Sequence, residues 1–126
     1  MKRATITIII PVYNVENFVN ETLLSVKNQI SQPDEVIIIN DGSTDGSLNI
    51  INNYKDLKGW KIINRSNHGV GLTRNFGKSI AISEYIYFLD SDDIIRKDLI
   101  FQMRLLIEKN AKPDMILFSG ETFPNN

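Results

Sequence analysis

No cysteine occurs anywhere in the 126 residues, so a disulfide framework and a thiolate metal site are both excluded, and the chain suits a reducing, cytoplasmic compartment. No sign of charge dominates either. The 14 basic and 15 acidic residues are mixed along the chain for a formal net charge of -1, which leaves no electrostatic footprint for nucleic acid or anionic lipid. Long apolar runs are missing: the stretch from Thr5 to Pro11 is too short and too β-branched for a signal peptide or a membrane span. Repeats, low-complexity tracts and linkers are absent as well, apart from a polar ending, Thr122-Phe123-Pro124-Asn125-Asn126. What is present, 42% apolar residues, is enough to build one core, so a single domain over residues 1–126 is expected.

Isoleucine-rich runs bounded by turn residues recur at Thr5 to Pro11, Glu35 to Asn40, Trp60 to Asn64, Tyr85 to Leu89 and Asp114 to Phe118, and each reads as a buried strand. Helical spacing separates them, as in Val15, Phe18, Val19, Thr22, Leu23 and Val26, and again in Leu99, Met103, Leu106 and Ile107. Asn14 is the expected cap of the first helix, and Ser43, Thr44 or Asp45 that of the second. Strand and helix thus alternate through five strands, which predicts an α/β fold: a Rossmann-like three-layer α-β-α arrangement with a mostly parallel sheet. In such sheets ligands bind beyond the carboxyl ends of the strands, so the segments that follow each strand carry the chemistry.

Those segments are polar and acidic. Pro11-Val12-Tyr13-Asn14 follows the first strand, Asn40-Asp41-Gly42-Ser43-Thr44-Asp45-Gly46 the second, Asn64 to Asn75 the third, and Asp90-Ser91-Asp92-Asp93 the fourth. In an extended segment the carboxylates of Asp90 and Asp92 leave one face and that of Asp93 points elsewhere. Two charges about 4 Å apart repel by roughly 1 to 4 kcal/mol, and a divalent cation removes that cost. All-oxygen donors select Mg²⁺ or Mn²⁺, which fills its remaining positions with phosphate and water. The same residues also fit a solvated acidic turn before the helix that begins near Lys97.

Asp41, followed by Gly42, is placed to accept a hydrogen bond from a base imide or a ribose hydroxyl, although Asp-Gly is also an ordinary turn. Tyr13 offers a flat surface for a base or serves as a rim aromatic. Gly69-Val70-Gly71 precedes a helix with Arg74 on its expected first turn, a set of donors suited to a diphosphate; the alternative is a plain loop with Arg74 paired to a surface carboxylate. His68 carries no assignment.

Several functions fail on position. A dinucleotide-binding dehydrogenase needs its glycine-rich turn after the first strand, and a P-loop needs Gly-Lys-Ser/Thr; neither occurs. A response-regulator receiver shares the size and the alternation, but it places acids after the first strand and a phospho-accepting aspartate after the third, where this chain has Asn64-Arg65. Sugar nucleotidyltransferases carry a Gly-rich, Arg-containing loop after strand one, which is missing here.

Ile8-Ile9-Ile10-Pro11-Val12-Tyr13-Asn14, Asn40-Asp41-Gly42-Ser43-Thr44-Asp45, Gly69-Val70-Gly71-Leu72-Thr73-Arg74-Asn75-Phe76-Gly77 and Phe88-Leu89-Asp90-Ser91-Asp92-Asp93, in this order and spacing, resemble the inverting family 2 glycosyltransferases of the GT-A fold. The resemblance runs from about Thr5 to Phe118. It implies that Pro11 and Tyr13 line a base pocket, that Asp41 hydrogen-bonds the base, and that Arg74 approaches the diphosphate. It further implies that Asp90-Ser91-Asp92 is the D-x-D motif, with Asp90 near ribose and metal and Asp92 the direct ligand of Mn²⁺ or Mg²⁺. Asn40 departs from the frequent Asp-Asp form of the second motif. The implied activity is inverting transfer from a nucleotide-diphospho-sugar, most often a UDP-sugar, to a hydroxyl of a glycan or lipid-linked acceptor in surface polysaccharide biosynthesis, in the cytoplasm or at the inner face of the membrane. The catalytic base and the acceptor half are expected beyond Asn126, so that the chain is a truncated nucleotide-binding half; the alternative is a natural nucleotide-binding module without transfer.

Overall fold

The computed structural model describes residues 3–110. Its strands are β1 (Ile6–Val12), β2 (Glu35–Asp41), β3 (Trp60–Arg65) and β4 (Tyr85–Phe88), alternating with helices α1 (Val19–Lys27), α2 (Ser47–Ile51), α3 (Val70–Ile80) and α4 (Leu99–Lys109). Every strand pair is parallel, in the order β3-β2-β1-β4. The fifth expected strand, Asp114 to Phe118, lies outside the described residues.

Alternation along β1 and β2 builds two cores. Ile6, Ile8, Ile10 and Val12 of β1, with Val36 and Ile38 of β2, pack with Val19, Leu23 and Val26 of α1, Ile51 of α2, and Ile100, Met103 and Ile107 of α4. Ile9, Ile37 and Ile39 face the other way, toward Phe76 and Ile80 of α3. The layers are therefore α1, α2 and α4 on one side of the sheet and α3 on the other. Contact with α3 is close at Gly77, where an added Cβ would lie 2.7 Å from Ile9 Cγ2 and 3.0 Å from Ile39 Cδ1. Those branched core side chains cannot yield cheaply, so glycine's helix penalty of about 1 kcal/mol is accepted there for the sake of packing.

Local details differ from the sequence expectations. α1 starts only at Val19, and its N-cap position is Phe18, not Asn14; a turn with Phe18 N–H and Val19 N–H donated to the Val15 carbonyl comes first. α2 has Gly46 at its N-cap, and the Asp45 carboxylate just before it accepts the Ser47 N–H at 2.9 Å. On α4 the buried set is Ile100, Met103, Arg104 and Ile107, whereas Leu106 is exposed. Arg104 takes one of the buried positions because its donors are met there. Arg104 donates through Nε to the Ala4 carbonyl (3.0 Å), through one terminal nitrogen to Asp34 (2.7 Å), and through the other to the Ser31 hydroxyl. A buried guanidinium is tolerated because its donors are met.

Glu35, at the start of β2, is also buried, and it accepts from Lys61 Nζ (2.7 Å), Thr7 Oγ1 (2.8 Å) and the Ile82 N–H (3.0 Å). Burial pushes its carboxyl up, but the bonds from Lys61, Ile82 and Thr7 outweigh burial and hold it below the usual range. Asp34 is lowered in the same way, burial being overcome by Ile6 N–H, Arg104 and Arg3. A carboxyl depressed in the folded state binds fewer protons there than when unfolded, so its stabilisation is full above the unfolded value near 4 and is lost as pH falls through the folded value. Glu35→Gln is therefore expected to lower stability by about 2 kcal/mol at neutral pH. Thermal unfolding followed from pH 7 downward should show the variant and the parent converging in acid; a constant difference would contradict the charge-based account.

Candidate functional site

β1 is joined to β2 on one side of it, and the chain then crosses back to place β4 on the other side. Such a reversal opens a crevice at the carboxyl ends of the strands, because the loops on either side lead away from each other. The structure has an open pocket of about 370 Å³ there, with Pro11, Val12 and Tyr13 after β1, Asp41 at the end of β2, Asn67, Gly69 and Val70 after β3, and Ser91 after β4. Segments far apart in sequence thus share one rim.

Tyr13 is 50% exposed, with its ring available at the mouth, while Pro11 is buried. Asp41 is only 3% exposed, and its two carboxylate oxygens accept the His68 N–H (2.8 Å) and the Gly69 N–H (3.1 Å). Each oxygen retains lone-pair capacity toward the pocket. Asn67 closes the same corner by donating Nδ2–H to the Asp41 carbonyl at 3.1 Å. The loop approaches so near that a Cβ on Gly42, whose φ is +75°, would meet the Asn67 nitrogen at 2.7 Å. Asn40 is buried and structural: its Nδ2 donates to Asn64 Oδ1 (3.2 Å) and its Oδ1 accepts the Ser43 N–H (3.3 Å).

Of the two arrangements open for the fourth motif, extended segment or acidic turn, the structure has the turn. The Asp93 N–H donates to the Asp90 carbonyl at 3.0 Å, so Asp90 to Asp93 form a turn, and the carboxylates do not alternate across a strand. Burial pushes the Asp93 carboxyl up, and the charges of Asp92 and Asp90 push it further, so that all three acids share one field. Ser91 is buried, and its carbonyl accepts from Thr22 Oγ1 at 2.9 Å. Among the described residues no three acidic, histidine or cysteine side chains form a ready cage for a metal. Asp90 and Asp92 carry the all-oxygen donors that a small hard cation takes, and the repulsion that raises Asp93 is what such an ion would relieve.

Arg74 lies in the second turn of α3, not the first, because the helix begins at Val70. Its guanidinium binds Asp90 at 2.6 Å, both side chains being partly exposed; this is the carboxylate pairing raised as the alternative above. Gly69, with φ +88°, occupies the N-cap position, and open space surrounds the sites where Gly69 and Gly71 lack a Cβ. Asn67, Val12 and Val70 had no assignment from sequence. Asn67 follows the third strand within the polar segment, and that position was the only signal that pointed to it.

Fold and crevice together define a Rossmann-like α/β domain with its binding rim at the strand-order reversal. The profile described as "Glycosyl transferase family 2" matches residues 7–123. An uncharacterized glycosyltransferase of Haemophilus influenzae is 46% identical over 100 residues, 78% of this chain and 40% of that protein. A poly(ribitol-phosphate) beta-glucosyltransferase of Bacillus spizizenii is 41% identical over 102 residues, 77% of this chain and 16% of that protein. Among solved structures, S. aureus TarS 1-349 in complex with UDP-GlcNAc superposes with a TM-score of 0.79 at 31% identity, over 85% of this chain and 32% of that one. The chain belongs to glycosyl transferase family 2, with the GT-A architecture, and spans well under half the length of these relatives. No described helix is long and apolar enough to cross a membrane.

Proposed function

We propose that this chain is the donor-binding part of a metal-dependent glycosyltransferase that takes a nucleotide-diphospho-sugar, a UDP-sugar above all, and delivers the sugar with inversion to an acceptor hydroxyl in surface polysaccharide synthesis. The observation that carries the reading is the meeting of Tyr13, Asp41, Asn67 and Ser91 around one crevice with the Asp90–Asp93 turn beside it. Tyr13 stacks on the base, Pro11 walls the pocket, and Asp41 accepts from the base with its remaining lone pairs. Asp92 and Asp90 would hold Mn²⁺ or Mg²⁺, Asp90 exchanging its bond to Arg74 for the ion and so freeing the guanidinium for the diphosphate. When bound, the cation stabilises the charge that accumulates on the departing phosphate oxygens. UDP-GlcNAc bound to TarS supports the donor class, and the polyol-phosphate polymer named for the Bacillus relative supports a polymeric acceptor that presents hydroxyls. No residue of this chain is assigned as the catalytic base.

Nucleoside diphosphates titrated with and without Mn²⁺ test the reading. UDP with the ion is expected to raise the melting temperature, by an amount linked to about 2.7 kcal/mol at a hundredfold excess over Kd. No response to any nucleoside diphosphate, with or without the ion, would overturn this reading.

A further inference from the structure

Two loops at the rim exchange backbone hydrogen bonds with each other's side chains. In the loop after β1, three successive amides are donated across: Asn14 N–H to Ser43 Oγ (3.1 Å), Val15 N–H to Ser47 Oγ (2.9 Å), and Glu16 N–H to Asp45 Oδ2 (3.2 Å). The loop after β2 returns three. Thr44 N–H and Asp45 N–H both go to Asn14 Oδ1 (2.7 and 3.3 Å), and Gly46 N–H goes to Glu16 Oε2 (2.9 Å). None of these side chains lines the crevice. The residues on either side of them do: Tyr13 precedes Asn14, and Asp41 precedes the Ser43 turn by two positions.

Asn14 is the centre of the exchange. Among the described residues it is the one non-glycine with positive φ, +49°, a conformation asparagine tolerates better than most side chains but that still needs support. Its carboxamide oxygen, shared between two amides of the opposite loop, supplies that support. Tyr13, half exposed, immediately precedes this left-handed residue.

We propose that Asn14 is a positioning residue that holds the Tyr13 ring over the crevice through its carboxamide bonds to Thr44 and Asp45, preorganising the base-binding side of the site. This rests on the function proposed above and deepens it. Ordering the loop before the ligand arrives removes an entropic cost from binding. The cost should fall on contacts to the base and not on contacts to the phosphates, which are held by α3 and the acidic turn.

The test is a calorimetric titration, with Mn²⁺, of UDP and separately of inorganic pyrophosphate, on the unaltered protein, Asn14→Gly and Asn14→Ala. Asn14→Gly accommodates the positive φ without strain and lacks the carboxamide, whereas Asn14→Ala lacks it without glycine's added backbone freedom. Both variants are expected to bind UDP about tenfold more weakly, with pyrophosphate binding unchanged. Ser43→Ala, which removes only the acceptor of the Asn14 N–H, should show a smaller loss with the same split and serves if an Asn14 variant does not fold. UDP binding by Asn14→Gly equal to that of the unaltered protein, or an equal loss for UDP and pyrophosphate, would overturn the inference alone. Failure of the unaltered protein to bind UDP would overturn the functional reading and the inference with it.

Discussion

Asp41→Ala is expected to weaken UDP binding about a hundredfold or more and to abolish discrimination among uridine, guanosine and adenosine diphosphates. The carboxylate does two jobs at once. It faces the crevice, and its oxygens receive the amides of His68 and Gly69, which ties the segment after β3 to the end of β2. Its removal would leave two donors in a nearly closed environment without partners, at about 1–3 kcal/mol each. Part of that is recovered when water enters, and the rest appears as loosening of the Asn67–Val70 corner. Asp41→Asn should be little better, since an amide nitrogen would then confront one of the two N–H groups. Affinities for the three diphosphates, with hydrogen exchange at residues 67–70, read out both jobs. Unaltered base selectivity in Asp41→Ala would remove Asp41 from base recognition.

Asp92→Asn is expected to abolish the dependence of UDP binding on Mn²⁺, leaving only whatever affinity the unaltered protein has without metal. Of the acids on the turn, Asp90 is bonded to Arg74 and Asp93 contributes its amide to the turn itself, whereas Asp92 is exposed and has no hydrogen bond or ion pair among the described residues. It is therefore the carboxylate most ready to accept an ion. The variant separates ligation from folding: taking one charge out of a repelling group should leave metal-free stability unchanged or slightly raised. Metal-dependent binding at the parental level in Asp92→Asn would contradict the ligand assignment. A fall in metal-free melting temperature would point instead to a structural part for Asp92 in the turn.

Strands were the most legible elements, since runs such as Thr5 to Pro11 and Glu35 to Asn40 are isoleucine-rich, end at turn residues and are buried on both faces. The four observed strands begin and end within a residue or so of the expected positions. Gathering of Pro11, Tyr13, Asp41 and Ser91 on one rim also followed from alternation alone, because parallel strands send all their carboxyl ends the same way. Side-chain partners were not legible in that way. Arg104 is buried because Ala4, Ser31 and Asp34 happen to receive it, and residues so remote in sequence leave no periodic mark. Asn14 looked like a helix cap because its chemistry suits one; the same carboxamide is spent on another loop. The acidic segment stayed open between an extended run and a turn, because the bond that decides it, Asp93 to Asp90, is a backbone contact that spacing cannot reveal.

β1 comes first among the described strands and is one of the two inner strands of the described sheet, flanked by β2 and β4. Its second neighbour is synthesised much later, after two further strands and three helices. Until β4 arrives, a strongly aggregation-prone ribbon of isoleucines has one edge unsatisfied, and closing it demands contacts between distant stretches of the chain, which form slowly. Substitutions that weaken the pairing of β4 with β1 are therefore expected to be felt first as poor expression, before any change in the finished molecule.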